Sequence, residues 1–238
     1  WKRASKREEI RPGSRIAAAA ELFLSLESAK ELEELAGVLL SISLNDEFFI
    51  WIAPALARSR AKLKAYCNAS EDSALKSAFE SFNTRLEETA RTAADNIKTL
   101  MDENPYGLPY RPHVWGAGWG IQGFGSRIWI LSHEFTEIFD QDAVHRAFDF
   151  VLGCHPGSNR ASFISGVGTE SITTAYGLNR ADWSYIPGGS VSGTGLIGPD
   201  FPELLDWPYL WQQTEYVLGG GTTDWLFLAL AIREKYRV

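Results

Sequence analysis

Between residues 71 and 100, the apolar positions Leu75, Phe79, Phe82, Leu86, Ala90, Ala93, Ile97 and Leu100 step by three or four. Lys, Arg, Glu and Asp fill the remaining faces. A chain turning every 3.6 residues gathers such positions into one stripe, so this stretch is predicted to be a helix buried along one side. The same spacing predicts a helix over 14–26, capped by Ser14, with Ile16, Ala19, Ala20, Phe23 and Leu24 facing inward. Ser28-Ala29-Lys30-Glu31 spells a capping box and opens a second helix carrying Leu32, Leu35, Ala36 and Leu39. These two helices read as an antiparallel hairpin. Pro54 crosses a third apolar stretch, 48–56, and is expected to end or kink it. Shorter helices are expected over 126–135, 142–152 and 223–236. No run alternates with period two, as a half-buried strand would. The chain therefore reads as all-α with long loops.

Charge and cysteine content exclude several classes of protein. With 23 Lys and Arg against 30 Asp and Glu, the net charge is −7, and no basic stripe exists to displace counterions from nucleic acid. The longest apolar run, 225–232, has eight residues, well short of the roughly 18 that a membrane helix needs. That run is apolar nearly all round at Trp225-Leu226-Phe227-Leu228-Ala229-Leu230, so its helix is expected inside the protein. The two cysteines, Cys67 and Cys154, form neither a disulfide framework nor a zinc cluster, and one bridge between them is left open. The opening Trp1-Lys2-Arg3-Ala4-Ser5-Lys6-Arg7-Glu8-Glu9 lacks an initiator Met and is too charged for a signal peptide, which suggests a start inside a longer polypeptide.

The second half differs in composition. Six of the nine Trp lie between Trp115 and Trp211, together with most of the Gly. Residues 153–222 contain little that looks helical, and so long a loop is usually functional or disordered. Its many aromatic residues argue for order. Flat rings on ordered loops suit a sugar cleft, because their faces cover the C–H faces of pyranose rings. The stretch is expected to line a cleft shared with 106–124. Gly193-Thr194-Gly195-Leu196-Ile197-Gly198 and Gly118-Trp119-Gly120-Ile121-Gln122-Gly123 match a dinucleotide fingerprint in spelling, but neither sits between a strand and a helix. Both read as turns, and no cofactor is implied. The four His (His113, His133, His145 and His155) are scattered and suggest no metal site.

One carboxylate stands out. In Trp211-Gln212-Gln213-Thr214-Glu215-Tyr216-Val217-Leu218-Gly219-Gly220-Gly221, Glu215 lies among aromatics and just before three glycines. A carboxyl held among apolar rings has its charged form disfavoured, so it can keep a proton for donation near neutrality. By residue type alone, a structural Glu capping the following helix is the commoner reading of Glu215.

These segments also carry a family resemblance. Leu152-Gly153-Cys154-His155-Pro156-Gly157-Ser158-Asn159, followed by Ser162-Phe163-Ile164-Ser165-Gly166-Val167-Gly168, resembles the Leu-Gly-x-Asn-Pro and Ser-(Tyr/Phe)-Val-(Thr/Ser)-Gly-x-Gly segment of glycoside hydrolase family 9. Tyr106-Gly107-Leu108-Pro109-Tyr110 and Trp115-Gly116 are similar to the same family, and Thr214-Glu215-Tyr216 falls where the family has Asn-Glu-Val with its proton donor. The order of the motifs matches, over a resemblance running from about Ile16 onward. The family's His-Pro-His-His-Arg segment is absent, its place taken by 174–185. Its Asp-Ala-Gly-Asp motif, which holds the general base, is also absent.

The resemblance implies that residues 1–238 form the C-terminal part of an (α/α)6 barrel, a toroid of twelve helices of which about seven are read here. It implies inverting hydrolysis of β-linked glycosidic bonds, in a β-1,4-glucan or related oligosaccharide, with Glu215 as general acid. An Asp outside the chain, expected on a second chain that carries the rest of the domain, would activate water. Inversion sets the two carboxyl groups roughly 6.5–9.5 Å apart. Trp115, Trp119, Trp183 and Trp211 are the candidate sugar platforms; Tyr176, Arg180 and Asp182 are candidate hydroxyl ligands. Secretion or a periplasmic location would follow from the family. A non-catalytic carbohydrate-binding or interaction fragment is the alternative from another class, and a different helical-toroid enzyme such as a lyase is a third.

Overall fold

The structure is a computed structural model that describes residues 12–27, 29–42, 44, 49–103, 105–109, 116–154, 160–171, 185–192, 216 and 220–236. Among them the chain is all-α. The described residues form seven helices: α1 (Pro12–Ser25), α2 (Ala29–Ser41), α3 (Phe49–Ala69), α4 (Ser73–Asp102), α5 (Ala117–Glu134), α6 (Asp142–Val151) and α7 (Gly220–Lys235). The strands among the described residues are two residue pairs, β1 (Ala161–Ser162) and β2 (Glu170–Ser171), which lie parallel with Ala161 opposite Glu170. Two compact units divide the chain: residues 1–95 with 133–138, and residues 96–132 with 139–238.

In the first unit, α1 packs against both α2 and α3. The periodicity is obeyed: Ala19, Ala20 and Phe23 of α1, and Leu35, Ala36 and Leu39 of α2, are buried. Helix α4 turns Phe79, Phe82, Leu86, Ala90 and Ala93 inward. Charged side chains close the helix ends. Lys62 Nζ donates to the carbonyls of Leu24 (3.0 Å) and Leu26 (2.8 Å), oxygens that the end of α1 leaves without intrahelical donors. Arg85 Nη2 does the same for Leu40 near the end of α2, at 3.0 Å. Arg58 pairs with Glu21. Arg60 pairs with Glu87 at 3.2 Å and lies over the Phe135 ring.

Several boundaries differ from expectation. Helix α1 starts at Pro12, ahead of the expected Ser14 cap. Pro54 does not end the third helix: α3 runs through it for 21 residues. Pro54 is the sixth residue of α3, so its missing N–H removes one hydrogen bond, to the Ile50 carbonyl, near the helix start. The burial of Phe49, Ile52, Leu56 and Leu63 compensates for that loss. Helix α5 begins at Ala117, nine residues before the expected 126, so Gly118-Trp119-Gly120-Ile121-Gln122-Gly123 is helix and not a turn.

The glycines of α5 mark close approaches in the second unit. A Cβ added at Gly125 would lie 3.0 Å from Ala147 Cβ of α6 and 3.0 Å from Leu228 Cδ1 of α7. Each Gly costs about 1 kcal/mol of helix propensity against Ala, and packing outweighs it here. Helices α6 and α7 touch through Phe148 and Trp225, stacked at 5.6 Å and 14°. Helix α7 is not wholly interior as expected. Leu228, Ala231 and Ile232 are buried, but Leu226, Phe227 and Leu230 are 59%, 40% and 51% exposed. One side of this apolar helix meets its unit, and among the described residues the other side stays exposed.

Both cysteines are free, Cys67 buried and Cys154 exposed; burial raises the Cys67 thiol pKa. No helix among the described residues is long and apolar enough to cross a membrane.

The three-helix junction leads to a stability prediction. Gly125→Ala should destabilise the fold by roughly 1–3 kcal/mol through overpacking, although Ala is the better helix former. The urea midpoint of the variant checks it, and an unchanged or raised midpoint would show the junction to be loose.

Candidate functional site

The family-like segments of the second unit fold onto the start of α5. Phe163 stacks on Phe150 at 5.4 Å, and Phe150 meets Tyr106 edge-on at 5.3 Å. The Phe163 N–H donates to Val151 O, and the Val191 N–H donates to Phe163 O, both at 2.9 Å. Gly118 lets the first turn of α5 lie on this arrangement: an added Cβ would fall 2.8 Å from the Phe163 ring and 3.1 Å from Val191 O. The Trp119 N–H, an orphan donor of that first turn, donates to Ser192 O at 3.3 Å.

The turn from Leu152 onward needs its glycines. Gly153 (φ 90) and Gly168 (φ 83) occupy the left-handed region, and a Cβ on either would collide with the opposing strand of the turn. With that close approach, Leu152 O accepts from the Thr169 N–H at 3.0 Å, and Arg160 O accepts from the Thr169 hydroxyl. Ser162 Oγ donates to Val167 O at 2.5 Å, which closes the Ser162–Gly168 motif on itself.

Three chain segments then lie side by side. Ile164 bridges Ser190, and Val191 bridges Tyr216, both antiparallel. The Tyr216 hydroxyl accepts from the Ile186 N–H at 2.7 Å and shares a 2.8 Å hydrogen bond with Ser165 Oγ. The Tyr216 ring covers Gly189, where a Cβ would lie 2.6 Å from Tyr216 Cε1. Below these segments, Gln122 and Ser190 exchange two buried hydrogen bonds of 2.9 and 3.0 Å. Ser162, Ser165, Ser190 and Ser192 are all buried here. Ser192 Oγ has no hydrogen-bond partner among the described residues.

Helix α7 is tied to α5 by polar groups. Ser126 Oγ donates to Asp224 O at 2.9 Å. The Asp224 carboxylate and the Arg127 guanidinium flank Gly123, whose added Cβ would be 2.9 Å from Asp224 Oδ2 and 3.1 Å from both Arg127 Nη atoms. Burial raises the Asp224 carboxyl pKa, with Arg127 partly opposing the shift. Burial likewise lowers Arg127, with Asp224 opposing.

Of the residues singled out by sequence, Trp119 is placed at the start of α5 and is half-buried. Trp115, Tyr176, Arg180, Asp182, Trp183, Trp211 and Glu215 lie outside the described residues, as does Gly193-Thr194-Gly195-Leu196-Ile197-Gly198. Glu215 is one peptide bond from Tyr216, which is described and anchored. Sequence reasoning missed Tyr216 as an anchor, although its motif was singled out. It also missed Asp224, the single charged residue between 216 and 232. No group of His, Cys, Asp and Glu among the described residues could hold a metal ion.

No protein-family model and no curated protein matches this sequence. Among solved structures, the chain is similar to the crystal structure of the cellulase Cel9M of C. cellulolyticum, at 16% identity and a TM-score of 0.44. The match covers 94% of this chain and 63% of that one, so this chain spans less than two thirds of its length.

The Asp224 environment sets a pH dependence. The fold holds this proton more tightly than the unfolded chain does, because the folded pKa is raised. Its contribution to stability is therefore fully present below the ordinary carboxylate value and declines as pH rises through the raised value. The difference in unfolding free energy between the wild type and Asp224→Asn should fall over that window. Urea titrations at a series of pH values measure it, and a difference that grows with pH would make Arg127 the dominant influence.

Proposed function

We propose that this chain is the acid-bearing part of an inverting glycoside hydrolase of family 9 type, with Glu215 as the general acid. The observation that carries the reading is the Ser165–Tyr216 contact: a 2.8 Å hydrogen bond joins the Ser162–Gly168 motif to the Glu215 segment. Two motifs some fifty residues apart resemble one family, and here they meet through side chains. Glu215 protonates the glycosidic oxygen of a β-linked glucan or related oligosaccharide as the bond to the anomeric carbon breaks. An Asp outside this chain takes a proton from the attacking water, which adds to the opposite face. The first turn of α5 brings Trp119 to the same loops, where its ring can serve as a platform for a sugar face.

The general base belongs to a second chain that carries the remainder of the domain. The exposed Leu226, Phe227 and Leu230 of α7 support this, because an apolar helix side is stable when another element covers it.

Two measurements test the proposal. In the complete enzyme, Glu215→Gln should lower kcat on β-1,4-glucan on the order of 10²–10⁴-fold while oligosaccharide binding persists. Activity within tenfold of wild type would show that another group donates the proton, and binding without hydrolysis in the wild type would favour the binding-fragment reading. Native mass spectrometry should find the 26.5 kDa chain with a partner chain. A monomeric, cooperatively folded 26.5 kDa species would sink the two-chain reading.

A further inference from the structure

The geometry points to Tyr185 as a sugar platform: its ring, held at one end by Gly166 and open to solvent, carries one pyranose face of a β-linked oligosaccharide. The inference rests on the hydrolase reading for the identity of the sugar, and it adds a binding residue to the same site. Tyr185 is 54% exposed, its chain neighbour Ile186 is 52% exposed, and Val167, the neighbour of Gly166, is 41% exposed. Backbone pairing brings these residues together. Ile164 bridges Ser190 in antiparallel fashion. The Ser165 N–H donates to Gly189 O at 2.9 Å, and the Gly188 N–H donates to Ser165 O at 2.7 Å. Gly166 and Val167 therefore run beside the segment that starts at Tyr185. The Tyr185 hydroxyl lies over Gly166, where an added Cβ would be 2.6 Å from it.

The ring is set in place before any ligand arrives. Ile186 opens a turn in which Pro187 supplies a fixed φ and Gly188 a left-handed one (φ 73), and the Gly189 N–H closes it onto Ile186 O at 2.9 Å. The Ile186 N–H donates to the Tyr216 hydroxyl at 2.7 Å, so the peptide after Tyr185 is pinned from another segment. Gly166 is fixed as well, at φ 76, with its N–H donating to Ser171 Oγ at 2.7 Å. A side chain held at both ends has less rotamer freedom to lose on binding. The surroundings select the occupant. A pyranose ring has an apolar C–H face and a rim of hydroxyls. Tyr185, Ile186 and Val167 match the face. Ser171 and its neighbour Glu170, the latter paired with Arg160 at 3.4 Å and exposed, supply groups that bond hydroxyls at the border. A protein partner asks for more, since a stable interface buries about 800 Å² on each side. Three partly exposed side chains bordered by charge fall well short of that.

The experiment uses the full chain in the assembly in which it is isolated. The probe is a thio-linked β-1,4-glucose tetrasaccharide, which resists hydrolysis. Tyr185→Ala should weaken its Kd, measured by calorimetry, by about tenfold or more, because the whole ring face is lost. Tyr185→Phe keeps that face and should bind as the wild type does. A second measurement needs no Ala variant. With tyrosine rings labelled with ¹³C, Tyr185 is assigned as the signal lost in Tyr185→Phe; that signal should shift on titration and transfer saturation to the sugar C–H protons. Equal binding by Tyr185→Ala, a Tyr185 signal that the sugar leaves unmoved, or a Phe variant as weak as Ala overturns the proposal. A Tyr185 ring shielded from solvent by a second chain also overturns it, and marks the patch as an interface between chains. Failure of the hydrolase reading shows separately, as undiminished hydrolysis by Glu215→Gln.

Discussion

Phe163 can rest on the first turn of α5 only because Gly118 has no side chain, and the loop structure of the second unit depends on that approach. A Cβ there would press into the ring at 2.8 Å and against the Val191 carbonyl at 3.1 Å. The paired strands are two residues long, too short to hold the loops by backbone ladder alone. An aromatic anchor does that work, with Phe163 sandwiched between α5 and Phe150. From that fixed point the backbone bonds to Val151 and Val191 spread outward, and Tyr216 joins the outer edge.

Beneath the anchor the interior is polar. Ser162, Ser165, Ser190 and Gln122 are buried and hydrogen-bonded, which avoids the cost of about 1–3 kcal/mol that an unpaired buried group carries. Apolar packing tolerates many similar arrangements, but hydrogen bonds between fixed partners tolerate few. A loop built this way is specified in its conformation more than it is stabilised.

Helix α7 combines two demands. Its start carries Asp224, held against Arg127 and tied through its carbonyl to Ser126, and its middle is apolar on both sides. Trp225 stacks on Phe148, and Tyr236 approaches His145, its hydroxyl 3.3 Å from Nε2, so α6 covers one side at both ends. The uncovered Leu226, Phe227 and Leu230 are where the proposed second part of the domain would bring its own apolar surface.

The sequence by itself determined the helices that carry a single apolar stripe. In α4, the residues from Phe79 to Ala93 that step by three or four are the ones buried, because charged neighbours leave the helix only one way to face. The Leu35, Ala36 and Leu39 face of α2 was legible for the same reason. The sequence also marked the Glu215 segment as unusual, from a carboxylate set among aromatics. Local pattern failed where distant atoms decide the outcome. Gly118 and Gly123 spell a turn, yet they are helical, because Phe163 and Asp224 fill the space their missing side chains leave. Pro54 spells a stop, yet α3 continues, because its cost falls at one backbone bond while several buried side chains oppose it. The role of Tyr216 was hidden in the same way, since its partners, Ser165 and Ile186, lie 51 and 30 residues away. Periodicity reports which side of a helix is apolar, but only the tertiary structure decides what meets that side and whether a glycine is a break or a space for a neighbour.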